Sequence, residues 1–127
     1  MANLNDGEVS LTLGDKEYVL RPTLAAIKAL SRKHGGMRTV LEHISTQNFD
    51  GIVSVIKIGA SVPDNEDAAL ERRVFNAGLT NDLLMGPVFT YWRVLQNGGK
   101  PVPPLVVPTD DAPPDDAPPT EAAEGNA

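Results

Sequence analysis

Few side chains in this 127-residue chain are of types that do chemistry, and their spacing decides what they could do. His34 and His43 are the only histidines, and there is no cysteine. A zinc site needs several His, Cys or carboxylate ligands converging at short range, and neither histidine has a second one at ligand spacing. His34 therefore reads as a cation in the last turn of a helix, and His43 as a surface residue on a short helix. Asp64, Glu66 and Asp67 superficially resemble a calcium loop but lack its turn glycine and its closing glutamate. They read better as carboxylates favoured at a helix N-terminus. The serines at 10, 31, 45, 54 and 61 sit in no G-x-S-x-G setting. The pairs Gly35-Gly36 and Gly98-Gly99 follow helical patterns rather than opening them, so no phosphate cradle is indicated. Arg72, Arg73 and Lys57 could form a small anion site, although a solvated helix face is the default. No catalytic, cofactor-binding or metal-ligating residue emerges, and the chain does not read as an enzyme.

One cluster is less bland. Phe89, Tyr91 and Trp92 supply three of the six aromatic residues within four positions. On a helix Val88, Tyr91, Trp92 and Leu95 share a face, with Phe89 about 100° from Val88. Large aromatics at this spacing usually close the core of a small domain. The second reading is a partner-binding anchor, since Tyr and Trp concentrate at interface hot spots. Both readings hold together if a kink at Pro87 lets this last helix lift away.

The elements that would position these residues follow from periodicity. In residues 8–21 an L-G-D-K turn, with Gly14 at the corner that needs positive φ, closes a two-residue hairpin. That register pairs Leu13 with Lys16, Leu11 with Tyr18, and Val9 with Leu20 on the apolar face. The other face pairs Thr12 with Glu17, Ser10 with Val19, and Glu8 with Arg21. A one-residue slip would scatter the apolar set, so the register is well specified. An isolated hairpin is marginal in water, and this one needs a lid. Helices are expected at about 23–34, 37–47, 50–60, 64–78 and 81–97. Thr23 caps the first, which turns Leu24, Ile27 and Leu30 inward and stops at Gly35-Gly36. Met37, Val40, Leu41 and Ile44 stripe the second. The third, weighed against a β-branched strand, carries Ile52, Val55, Ile56 and Gly59 on one stripe with Asp50 as its cap. The fourth points Leu70, Val74 and Ala77 inward. The fifth starts at Thr80 or Asn81, and Gly86-Pro87 should kink or restart it.

The remainder is different. Eight of the 11 prolines lie beyond residue 100, together with two identical DDAPP copies at 110–114 and 115–119. Such composition favours extended, solvated conformers, although PVPPLVV could dock as an edge strand. The expected fold class is thus α+β, mostly α. Residues 1–6 form a flexible N-terminus, residues 7–99 one domain of a hairpin packed by four to five short helices, and residues 100–127 a disordered acidic tail. All 11 Lys and Arg fall within residues 1–100 with 11 of the 17 acids, so the tail carries the whole charge of −6. A neutral domain with an anionic tail is poorly matched to nucleic acid. No apolar run approaches the ~20 residues of a membrane span, and MANLNDGEV lacks the regions of a signal peptide.

The stretch GEVSLTLGDKEYVLRPTLAAIKALSRKHG (7–35) resembles the tail assembly chaperones of gene transfer agents and siphophages, small proteins encoded between the tail-tube and tape-measure genes. The similarity runs more loosely through NFDGIVSVIKIGAS, NAGL and GPVFTYWRVL, covering roughly residues 7–97. It departs from the family in the basic SRKHG, where members often carry an acid. The resemblance implies a cytoplasmic protein of a bacterial producer cell, absent from the mature particle and without cofactor. Its partners would be the tape-measure protein and tail-tube subunits, with self-association left open. On this reading Val88, Tyr91, Trp92 and Leu95 are the candidate partner-binding residues. The alternatives are a structural tail component, disfavoured by the single visible hairpin, and a small helical DNA-binding regulator, disfavoured by the neutral domain.

Overall fold

The computed structural model describes residues 6–102. The chain runs β1 (Val9–Leu13), β2 (Lys16–Leu20), α1 (Leu24–His34), α2 (Met37–Ser45), α3 (Phe49–Ala60), a 3-10 turn (Asp64–Glu66), α4 (Asp67–Ala77) and α5 (Asp82–Gln96). This is the expected hairpin-plus-helices class. Of the expected flexible N-terminus (1–6) and disordered tail (100–127), residues 1–5 and 103–127 lie outside the described residues.

The hairpin has the register that the alternation dictates, Val9 to Leu20 through Leu13 to Lys16. Gly14 supplies the positive φ, 65°, and Glu8 pairs with Arg21 at 3.5 Å across the polar face. Leu11, Leu13, Tyr18 and Leu20 are buried. Their lid is chiefly α5, which lies against β1, with α3 against β2.

α3 is the centre of the fold. It touches β2 and all four other helices. Ile52, Val53, Ser54, Val55 and Ile56 are all buried, so the β-branched run that suggested a strand is instead a helix enclosed on nearly every side. Asn48, not Asp50, caps it, because the Asn48 side chain accepts from Gly51 N–H while Asp50 lies exposed within the first turn. Two glycines let the neighbours approach. A Cβ on Gly51 would lie 2.6 Å from His43 Cβ, and one on Gly59 would lie 2.9 Å from the Tyr91 ring. Beside Gly59, the Tyr91 hydroxyl donates to the Arg21 carbonyl at 2.6 Å, and Arg21 N–H donates to the Gly59 carbonyl at 2.9 Å. Hairpin exit, central helix and last helix thus meet at one point. Burial of the ring pushes the Tyr91 phenol further up, so it stays a hydrogen-bond donor.

Several helix details depart from the expected pattern. Thr23 caps α1 by accepting from Ala26 N–H, but Leu24 is 75% exposed, and Ala26 joins Leu30 inside. With Thr23 as the cap, Leu24 is the first helical residue and projects over the end of the core rather than into it. In α4, Leu70 and Val74 are buried whereas Ala77 is half-buried. Asn81, rather than Thr80, caps α5 by accepting from Leu83 N–H. α5 then runs as one helix from Asp82 to Gln96 through Pro87, so of the expected kink or restart the restart does not occur. Pro87 sits early in the helix, and the carbonyl left without its N–H belongs to Leu83, an exposed residue whose polar groups water can reach.

Gly59→Ala forces a methyl against the Tyr91 ring, which overpacking makes costly by about 1–3 kcal/mol. Each kcal/mol lowers Tm by about 4–8 °C in a domain of this size, so a thermal melt checks the contact. An unchanged Tm would show that the ring yields freely and that the three-way junction does not hold the fold.

Candidate partner interface

The four residues singled out as a partner face do not act together. Val88 and Tyr91 are fully buried, and Leu95 is 5% exposed. They close the core over β1, as their apolar spacing equally allowed. Trp92 alone of the four reaches the surface, half-buried. Its indole N–H donates to the Met37 carbonyl at 2.9 Å, and its ring stacks on Phe89 with centroids 6.0 Å apart. Trp92 and Gln96 of α5 with Met37, Arg38 and Leu41 of α2 line an open depression of about 500 Å³. Trp92 is therefore mainly a clamp between two helices.

Among the described residues the large apolar side chains most open to solvent lie elsewhere, at Leu24, Phe75 and Leu83. Phe75, 71% exposed, is the informative one. Ala68, Glu71, Arg72 and Phe75 recur at helical spacing along one face of α4, and with Phe49 of α3 they line a shallow groove of about 380 Å³. Leu70 and Val74 hold the opposite face of α4 in the core. Its lining combines two aromatic rings and an alanine with one carboxylate and one guanidinium. Phe75 escaped the sequence reading, which followed the inward stripe 70–74–77. The available signal was an aromatic residue off that stripe, on a face otherwise polar.

The remaining chemical candidates resolve into structural pairs. Lys57 reaches from the last turn of α3 to Asp64 at 2.7 Å and Asp67 at 2.5 Å. Those carboxylates therefore pin the start of α4, and Lys57 holds the Asp64 carboxyl below its usual range. Arg73 donates to the Tyr18 hydroxyl at 3.1 Å, so Lys57 and Arg73 are committed separately and the suggested anion site is not assembled. His34 is not a solvated helix-end cation. Its Nε2 lies 3.0 Å from Ser54 Oγ, and its ring meets that of His43 edge-on at 4.9 Å. His43 is correspondingly half-buried against α3 rather than a free surface residue. Burial, then the neighbouring His43 and Lys33, holds the His34 pKa below 6.5. Ser54 is 3% exposed, too enclosed for a substrate carbonyl to reach its oxygen. Among the described residues no group of three or more His, Cys, Asp or Glu converges on a common point. Nor is any helix there long and apolar enough to cross a membrane.

Comparison of the chain with family models, with curated proteins and with solved structures found no match.

The His34 arrangement carries a pH dependence whose sign is fixed. Above pH 6.5 the imidazole is neutral in the folded and the unfolded chain. Below it the unfolded chain takes up the proton first, because the folded pKa is lower. Stability should be full above pH 6.5 and decline as pH falls towards the lowered value. His34→Gln keeps a hydrogen-bonding group beside Ser54 but cannot titrate. A Tm series from about pH 8 to about pH 5 should be flatter in this variant. An equal slope in both proteins would assign the dependence to another group.

Proposed function

We propose that this protein is a tail assembly chaperone that covers apolar helical segments of a tape-measure protein until tail-tube subunits replace it. The observation that carries this reading is the α4 groove, in which Phe75 stands 71% exposed and whose lining also includes Phe49, Glu71 and Arg72. A groove along a helix that offers apolar and charged side chains together is suited to receiving another amphipathic helix side by side. A long helix with an apolar stripe aggregates unless covered. A shallow groove grips such a helix modestly, which displacement by tube subunits requires. The sequence resemblance over residues 7–97 supports the same reading independently. The core position of Val88, Tyr91 and Leu95 moves the proposed contact away from α5, leaving Trp92 at most a peripheral role.

Phe75→Glu in the full chain should weaken co-purification with a co-expressed tape-measure polypeptide at least tenfold. Its Tm should stay within about 4 °C of the parent, as for other surface changes. Retained binding would remove the groove from the function. Quantitative mass spectrometry of purified tails and of producer-cell lysate tests the role itself. The protein should be abundant in lysate and absent from finished tails. Fixed stoichiometry in the tails would make it a structural component instead.

A further inference from the structure

α4 lines the groove and is itself a helix of the kind that would fill it. Leu70 and Val74 hold its inner side in the core, and Ala68, Glu71, Arg72 and Phe75 are exposed on its outer side. At about 100° per residue, Ala68 and Phe75 lie about 20° apart and form the crest of that side, with Glu71 and Arg72 about 50° to its left and right. Both of these charges are uncommitted. The next residue, Arg73, donates to the Tyr18 hydroxyl, and Lys57 holds Asp64 and Asp67. Neither the Glu71 nor the Arg72 side chain has a hydrogen-bond or ion-pair partner among the described residues. Adjacent residues of a helix do not face each other, so the two cannot satisfy one another. The residues three and four away from each on α4 carry no opposite charge either.

An apolar crest flanked by one charge of each sign is complementary to itself. Two copies of α4 laid side by side about a two-fold axis run either antiparallel or parallel, and the charges choose between the two. In the antiparallel pair the flank with Glu71 meets the Glu71 flank of the second copy, and Arg72 meets Arg72. In the parallel pair Glu71 of each copy meets Arg72 of the other on both sides of the crest, about 1.5 Å apart along the axis. Like charges set against each other oppose association, and opposite ones fix its register. The parallel crest sets Phe75 against Phe75 and Ala68 against Ala68, which covers a ring otherwise 71% exposed.

We infer that a second copy of this chain occupies the groove in the isolated protein, the two forming a two-fold dimer through parallel α4 helices. A helix of eleven residues supplies a contact smaller than the ~1,600 Å² of a standard stable interface, so the pair is weak and reversible. It shields Phe75 at high concentration and yields the face to a tighter ligand. Two copies pair in this way whether or not the chaperone reading holds.

Sedimentation equilibrium of the full chain from about 10 μM to about 1 mM should show a monomer–dimer equilibrium with a dissociation constant on the order of 100 μM. Glu71→Arg sets arginine against arginine on both flanks, and Arg72→Glu sets glutamate against glutamate. Each change alone should weaken self-association at least tenfold. An equimolar mixture of the two variants should restore dimers, because every flank then pairs opposite charges. The chain has no cysteine, so Ala68→Cys places a single thiol on the crest. Under mild oxidation this variant should form a disulfide-linked dimer at least tenfold faster than Ala25→Cys, a control on an exposed position of α1. A monomer at every concentration would overturn the inference and leave the groove to another protein. Self-association indifferent to both charge reversals would overturn it by placing the contact on another face. Thiol coupling no faster than in the control would overturn the parallel pair. None of these measurements involves a tape-measure polypeptide, so either reading can fail while the other stands.

Discussion

Burial of α3 is the constraint from which the other arrangements follow. A twelve-residue helix with nearly every side chain enclosed must be contacted from all sides, and a small domain has few elements to supply those contacts. The solution is close approach at glycines. Gly51 admits α2 and Gly59 admits the Tyr91 ring of α5. Because the same tyrosine reaches the Arg21 carbonyl, the helix that covers β1 is also fixed to the strand exit. The buried Ser54 hydroxyl finds a partner in His34, and at the surface Lys57 meets two carboxylates.

That economy leaves the outer faces unequal. α5 spends its aromatic and aliphatic residues on the hairpin and on α2, so the face with the most obvious hot-spot composition is consumed internally. α4 contributes only Leu70 and Val74 to full burial and presents Phe75 outward. On the proposed reading, a groove beside α4 is a better receptor than a face of α5 that would have to detach first.

Local rules made the hairpin legible because alternation and a glycine turn specify register within fourteen residues. Helix positions were equally legible from caps and glycine stops, and the helical stripe of α3 outweighed its β-branched run. What the sequence could not settle was which of several apolar stripes face each other. Val88, Tyr91 and Leu95 look the same whether they meet a hairpin or a partner, and only the long-range placement of α5 decides. His34 shows the same limit: its place at a helix end suggests a solvated cation, but its environment is set by Ser54, twenty residues away. Phe75 was missed for the opposite reason, since a residue outside the core stripe attracts no attention until its exposure is known.

The separation between Arg21 and Tyr91, 70 residues, also orders events during folding. β1, β2 and the first helices can form from local contacts as the chain emerges, and α3 can cover β2, but β1 lacks its chief lid until α5 arrives. Closure is a long loop made late, and long-range pairings of this kind slow folding and prolong the life of partly covered intermediates. During synthesis Leu11 and Leu13 therefore wait on the last fifteen residues of the domain's helical sequence. If the proposed reading holds, a protein that covers the apolar surface of another chain passes, on its way to the native state, through a period in which its own is bare.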